Sequence, residues 1–110
     1  GINDPNTAVQ VIEELTSLFP LLAQVRLGPT ARIDAQGVPR VVQRALTFGE
    51  YLEMATAQIV LYSGGDPVVM MALQRFVQVL QRLDLPAGDQ LPVETFAGRV
   101  RKLTGENSNA

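Results

Sequence analysis

The stretch TFGEYLEMATAQIVLYSGGDPVVMMALQRFVQVL, residues 47–80, starts a helix, stops it and starts another. Thr47 and Glu50 form a capping box, in which the hydroxyl and the carboxylate each satisfy a backbone N–H that the first helical turn leaves free. Phe48, Tyr51, Leu52, Ala55, Ile59 and Tyr62 follow at helical spacing as one apolar stripe. Gly64 and Gly65 end the helix by admitting left-handed backbone angles. Asp66 and Pro67 restart it at once, because aspartate accepts free N–H groups at an N-cap and proline lacks a donor that would be orphaned at the first helical position. Val69, Leu73, Phe76, Leu80 and Leu83 then share one face, with Gln74, Gln78, Gln81 and Arg82 opposite. A turn this short predicts an antiparallel hairpin of two packed helices.

Upstream, Asp4 and Pro5 use the same device. Ala8, Val9, Val11, Ile12, Leu15, Leu18, Phe19 and Leu22 recur at spacings of three and four, which predicts a helix from Pro5 to about Ala23 or Val25. Pro20 should kink or interrupt it near Phe19, since it removes one donor from the ladder. The period then changes: Arg32, Ile33 and Asp34 alternate, DAQG makes a turn with Gly37 at the positive φ, and Val38 to Val42 return. This reads as a small β-hairpin whose Pro39 suits an edge or a bulge and which must lean on helices to be stable.

Downstream, DLPAGDQLP reads as a loop and Pro92 as the opening of a last helix, with Val93, Phe96, Ala97, Val100 and Leu103 inward. Glu94 would lie near its positive end and Arg99, Arg101 and Lys102 near its negative end. GENSNA would fray. The expected fold is mainly α: a small four-helix, bundle-like domain over residues 1–104 with one short β-hairpin between helices one and two, and a flexible tail at 105–110.

With 110 residues and 46% hydrophobic content, the chain can bury a core without disulfides or metal. Nine Lys and Arg against eleven Asp and Glu give a net charge of -2, which argues against nucleic acid as a partner. Cysteine and histidine are both absent, so thiolate chemistry, Ser-His-Asp and Cys-His arrangements and histidine-based zinc sites are excluded. No cofactor or metal site is indicated. The apolar runs fall short of the roughly 20 residues of a membrane-spanning helix.

Asn3, Asp4 and Thr7 are the candidate polar site. Capping accounts for Asp4, while Asn3 and Thr7 remain available for a ligand or a neighbouring domain. The carboxylate favours a cation, an amine or a hydroxylated ligand over a bare anion. Glu13 and Glu14 diverge by about 100° on a helix and read as a solvated face. Glu53 could join Glu50 around a metal, but Glu50 is engaged in capping. Gly64 and Gly65 lack the Lys and Ser or Thr of a phosphate loop. Met54, Met70 and Met71 read as core or interface filling. Arg99, Arg101 and Lys102 read as a solvated helix end.

GINDPNTAVQVIEEL at the start and VVQRALTFGEYLEMATAQIVLYSGGDPVV later resemble the bacterial predicted membrane proteins grouped as domain of unknown function 2254. GINDP followed one residue later by TA is the most specific phrase. Asn6 departs from the aromatic residue expected there, and the likeness weakens after Leu83. The resemblance implies that Gly1 continues from a longer chain with membrane-spanning segments upstream, and it assigns no catalytic residues.

The leading expectation is a non-catalytic, soluble regulatory or assembly domain of a bacterial integral membrane protein. It would sit on the cytoplasmic side of the plasma membrane, with the upstream transmembrane region or a second copy as partner and membrane association only through the missing segments. A ligand or ion sensor built on Asn3, Asp4 and Thr7 is the alternative. A hydrolase using Asp4 or Glu50 as base comes last, because neither has a partner in sequence.

Overall fold

Asp4 and Asp66 both sit in extended backbone, at φ -93°, ψ 117° and φ -95°, ψ 114°, and turn their carboxylates back onto the helix that follows. The computed structural model describes residues 4–25, 31–33, 39–41, 46–62 and 65–108. Within them lie four helices: α1 (Pro5–Gln24), α2 (Phe48–Tyr62), α3 (Pro67–Gln81) and α4 (Ala87–Ser108). Asp66 accepts from the N–H groups of Val68 and Val69 at 2.9 and 3.1 Å. The capping box of α2 closes both ways: the Thr47 N–H donates to Glu50 Oε1 at 2.9 Å, and the Glu50 N–H donates to Thr47 Oγ1 at 3.1 Å. Gly65 takes φ +97° in the turn before α3, an angle that a side chain would make costly.

The core is built from the faces that periodicity marks. Ile12 and Phe19 of α1, Phe48, Leu52 and Ile59 of α2, Val69, Leu73, Phe76 and Leu80 of α3, and Val93, Phe96 and Val100 of α4 are buried. Phenylalanine occurs four times in the sequence, and all four copies meet at the centre. Phe48 stands edge-on to Phe19 at 5.4 Å, Phe19 to Phe76 at 5.6 Å, and Phe76 to Phe96 at 5.6 Å. Each edge-to-face pair adds about 0.5–1.5 kcal/mol beyond area burial, so this run of rings stitches together one residue from each helix.

The packing order differs from the expected hairpin. Among the described residues α1 packs on α3, α3 on α4, α4 on α2, and α2 on α1, while α2 and α3 do not pack on each other. They lie diagonally across the bundle although only four residues separate them in the chain. The reason is the breadth of the α3 face: Val69, Met70, Leu73, Phe76 and Leu80 are all buried, which is wide enough to serve α1 on one side and α4 on the other. Phe19, placed between Phe48 and Phe76, takes the position next to α3 that chain adjacency would have given to α2.

Two boundaries also differ, both of α4, whereas α1 ends at Gln24 as expected. α4 begins at Ala87 rather than Pro92, because the Pro86 carbonyl accepts from the N–H groups of Asp89 and Gln90 and the Gln90 amide reaches back to the Leu85 carbonyl at 2.8 Å. Pro92 therefore lies inside the helix, where it leaves without a donor only the carbonyl of exposed Gly88. The earlier start puts Asp89, not Glu94, in the first turn, and no basic residue in the last. The helix runs through Gly105 to Ser108, over residues expected to fray. α1 continues past Pro20 to Gln24 without interruption.

Between α1 and α2, Ala31–Ile33 and Pro39–Val41 pair antiparallel, with Ala31 opposite Val41 and Ile33 opposite Pro39. The turn expected at residues 34–37 lies outside the described residues. Among the described residues neither three-residue segment contacts a helix. Of the short β-hairpin expected between the first two helices, the described residues thus show this pairing of two three-residue segments and no helix on which it leans.

Candidate functional site

At the start of α1 the Asp4 carboxylate is used twice within its own helix. Oδ1 accepts from the Asn6 N–H at 3.0 Å, and Oδ2 accepts from the Thr7 hydroxyl at 3.1 Å. Both Asp4 and Thr7 are exposed. The Thr7 hydroxyl thus has a partner in the cap, and the arrangement supplies what a first helical turn needs. Asn3 lies outside the described residues. Glu50 is held by the α2 cap, and Glu53 stands exposed one turn away. Among the described residues no three acidic side chains cluster in a way that could hold a metal ion.

The chain does make grooves elsewhere. One, of about 360 Å³, runs between the first halves of α2 and α4 and is lined by Gly49, Glu53, Thr56, Leu91, Pro92 and Arg99 among others. Along it Gly49 has no side chain, which lets the Pro92 ring lie directly against the α2 backbone. Thr56 at its floor is buried, but its hydroxyl donates to the Leu52 carbonyl at 2.6 Å, so no polar atom there is left unsatisfied. Glu53 and Arg99 on the rim are exposed charges of opposite sign.

A second groove, of about 440 Å³, separates α1 from α3 and is lined by Val9, Glu13, Thr16, Ser17, Val68, Met71, Ala72 and Arg75. It continues over α1, through Glu13 and Ser17, onto a shallow surface that includes Leu18 and Leu21. In the groove Met71 is 68% exposed and Val68 59%, and on the surface beyond it Leu21 is 60% exposed. Pattern reading missed this face. Leu18 belongs to the expected inward stripe but is exposed, because Phe19, one position and about 100° away, takes the core. The available signal is a second apolar row at spacings of three and four, Leu18 and Leu21 on α1 and Val25 at its C-cap.

No helix of the described residues is long and apolar enough to cross a membrane. Uncharacterized proteins of Mycobacterium tuberculosis and Mycobacterium bovis are each 29% identical to this chain over 95 residues, covering 86% of it. The chain spans 18% of the length of these curated relatives. No solved structure matches it. Residues 1–79, which carry the capped starts of α1, α2 and α3 and the groove between α1 and α3, match the family described as predicted membrane protein (DUF2254). The chain belongs to that family of predicted membrane proteins.

Proposed function

We propose that this chain is a non-catalytic assembly domain, which binds the remainder of its own membrane protein or a second subunit through its helical surface. The observation that carries the reading is the contrast between a core with its polar groups satisfied and an outer surface with large apolar side chains uncovered. Leu18, Leu21, Val68 and Met71 lie on the α1 and α3 side, Met54 and Leu91 on α2 and α4. Such surface is retained at the cost of solubility where something covers it. Relatives about five times longer supply polypeptide that could do so.

A cytoplasmic position at the plasma membrane belongs to the same proposal. Photocrosslinking side chains placed at Leu21 and Leu91 of the full-length protein in its membrane should capture the same chain or another copy. A domain that gives no crosslink at either position and tumbles freely refutes the assembly role. Protease that cuts the domain from outside intact spheroplasts refutes the cytoplasmic placement.

Ligand sensing at Asn3, Asp4 and Thr7 has less support, because Asp4 and Thr7 spend their polar atoms on each other and on the α1 backbone. A hydrolase using Asp4 or Glu50 is weaker still, since both carboxylates serve as helix caps.

A further inference from the structure

We infer that the groove between α2 and α4 binds a small zwitterion, an amino acid with an apolar side chain. The inference goes beyond the assembly role and does not depend on it. Glu53 of α2 and Arg99 of α4 line this groove together. Neither side chain has an ion pair or hydrogen bond among the described residues, so two opposite charges share one groove without meeting. A ligand that carries both an ammonium and a carboxylate can bridge them, its ammonium donating to Glu53 and its carboxylate accepting from the Arg99 guanidinium. Both contacts strengthen once the ligand displaces the water between the charges.

The same groove reaches down to the core. Leu52 and Phe96, both buried, are part of its lining together with the Pro92 ring, and they offer an apolar side chain a place out of water. The buried Thr56 hydroxyl is already spent on the Leu52 carbonyl, so the floor makes no polar demand. Pro92 also removes the N–H that the Gly88 carbonyl would accept, and Gly88 lines the groove, which leaves the ligand's amine a further acceptor. The groove between α1 and α3 holds an acid and a base as well, Glu13 and Arg75, but no buried residue lines it. A volume of about 360 Å³ lies near the lower end of small-ligand sites, roughly 300–1,000 Å³, and suits one amino acid better than a peptide. The ethanolamine headgroup of a phospholipid carries the same two signs of charge, with phosphate in place of carboxylate, but brings no side chain to that floor.

Titration of the 110-residue chain with leucine, followed through the NMR shifts of its backbone amides, tests this. Leucine should bind with a Kd of about 1 mM or below and move the amides of Glu53, Thr56 and Arg99. Its single-charge analogues, 3-methylbutylamine and 4-methylpentanoate, should each bind about tenfold more weakly, as should glycine and phosphoethanolamine, which lack the side chain. Glu53→Gln should lower leucine to the affinity of 4-methylpentanoate, and Arg99→Gln to that of 3-methylbutylamine. Both positions are exposed, so the circular dichroism of each variant should stay native. No movement of the groove amides up to about 20 mM leucine overturns the inference. Single-charge analogues that bind as well as leucine, or leucine binding unchanged by both substitutions, overturn it too. Phosphoethanolamine binding more tightly than leucine overturns the amino-acid assignment in favour of a lipid headgroup.

Discussion

Gly49 of α2 and Pro92 of α4 touch so closely that a Cβ on Gly49 would lie 2.5 Å from Cγ and 2.9 Å from Cβ of the proline ring. That contact is where the second and fourth helices close on each other, and it explains why a glycine stands inside the capping-box turn. Gly49→Ala should therefore destabilise the domain by about 1–3 kcal/mol, the usual cost of overpacking against a rigid neighbour. Gly98→Ala, inside α4 with nothing within 4 Å of its added methyl, should instead stabilise by about 0.5–1 kcal/mol. Urea denaturation of the two variants side by side gives opposite signs, and equal shifts would refute the contact.

Phe76 has ring neighbours on both helices that flank α3, Phe19 and Phe96. Phe76→Ala should cost about 3–5 kcal/mol, a large share of the stability of a small domain. Phe48→Ala removes a ring with one aromatic partner and should cost less. The two midpoints in thermal unfolding rank the central position against the terminal one.

The aspartate caps are unequal. Asp66 accepts from two backbone N–H groups, whereas Asp4 accepts from one N–H and from a hydroxyl at the exposed start of the chain's first helix. Asp66→Ala should cost about 1–2 kcal/mol and Asp4→Ala about 0.5 kcal/mol. Chemical denaturation measures both, and an Asp4 effect larger than that of Asp66 would point to a contact of Asp4 beyond its own helix.

Gly65→Ala should cost about 1–2 kcal/mol although its methyl would meet nothing within 4 Å, because φ +97° is disfavoured for any L side chain. The loss should be visible as a lower melting temperature. No loss would mean that the turn before α3 can be remade with a negative φ.

Local sequence chemistry determined where α1, α2 and α3 begin and which face each turns inward. An Asp-Pro pair or a Thr-x-x-Glu box acts within one turn, and burial follows a period of 3.6 residues, so neither needs distant partners. The start of α4 is not legible in residue type, because Pro92 looks like a helix opener whereas the bonds that begin this helix go to the Pro86 carbonyl. Of the candidate polar site, Asp4 and its capping role are legible in the sequence, and the Thr7 hydroxyl as its second partner appears only in the folded structure.

Which helices touch was decided only in three dimensions. The turn at Gly65 and Asp66 makes α2 and α3 neighbours in the chain, yet Phe19 reaches α3 and the bare Gly49 backbone draws α2 onto Pro92, so the two helices end on opposite corners. The exposed α1 and α3 face follows from the same choice. A helix has one stripe for its core, and when Phe19 fills that stripe, Leu18 and Leu21 are carried around the cylinder to the outside.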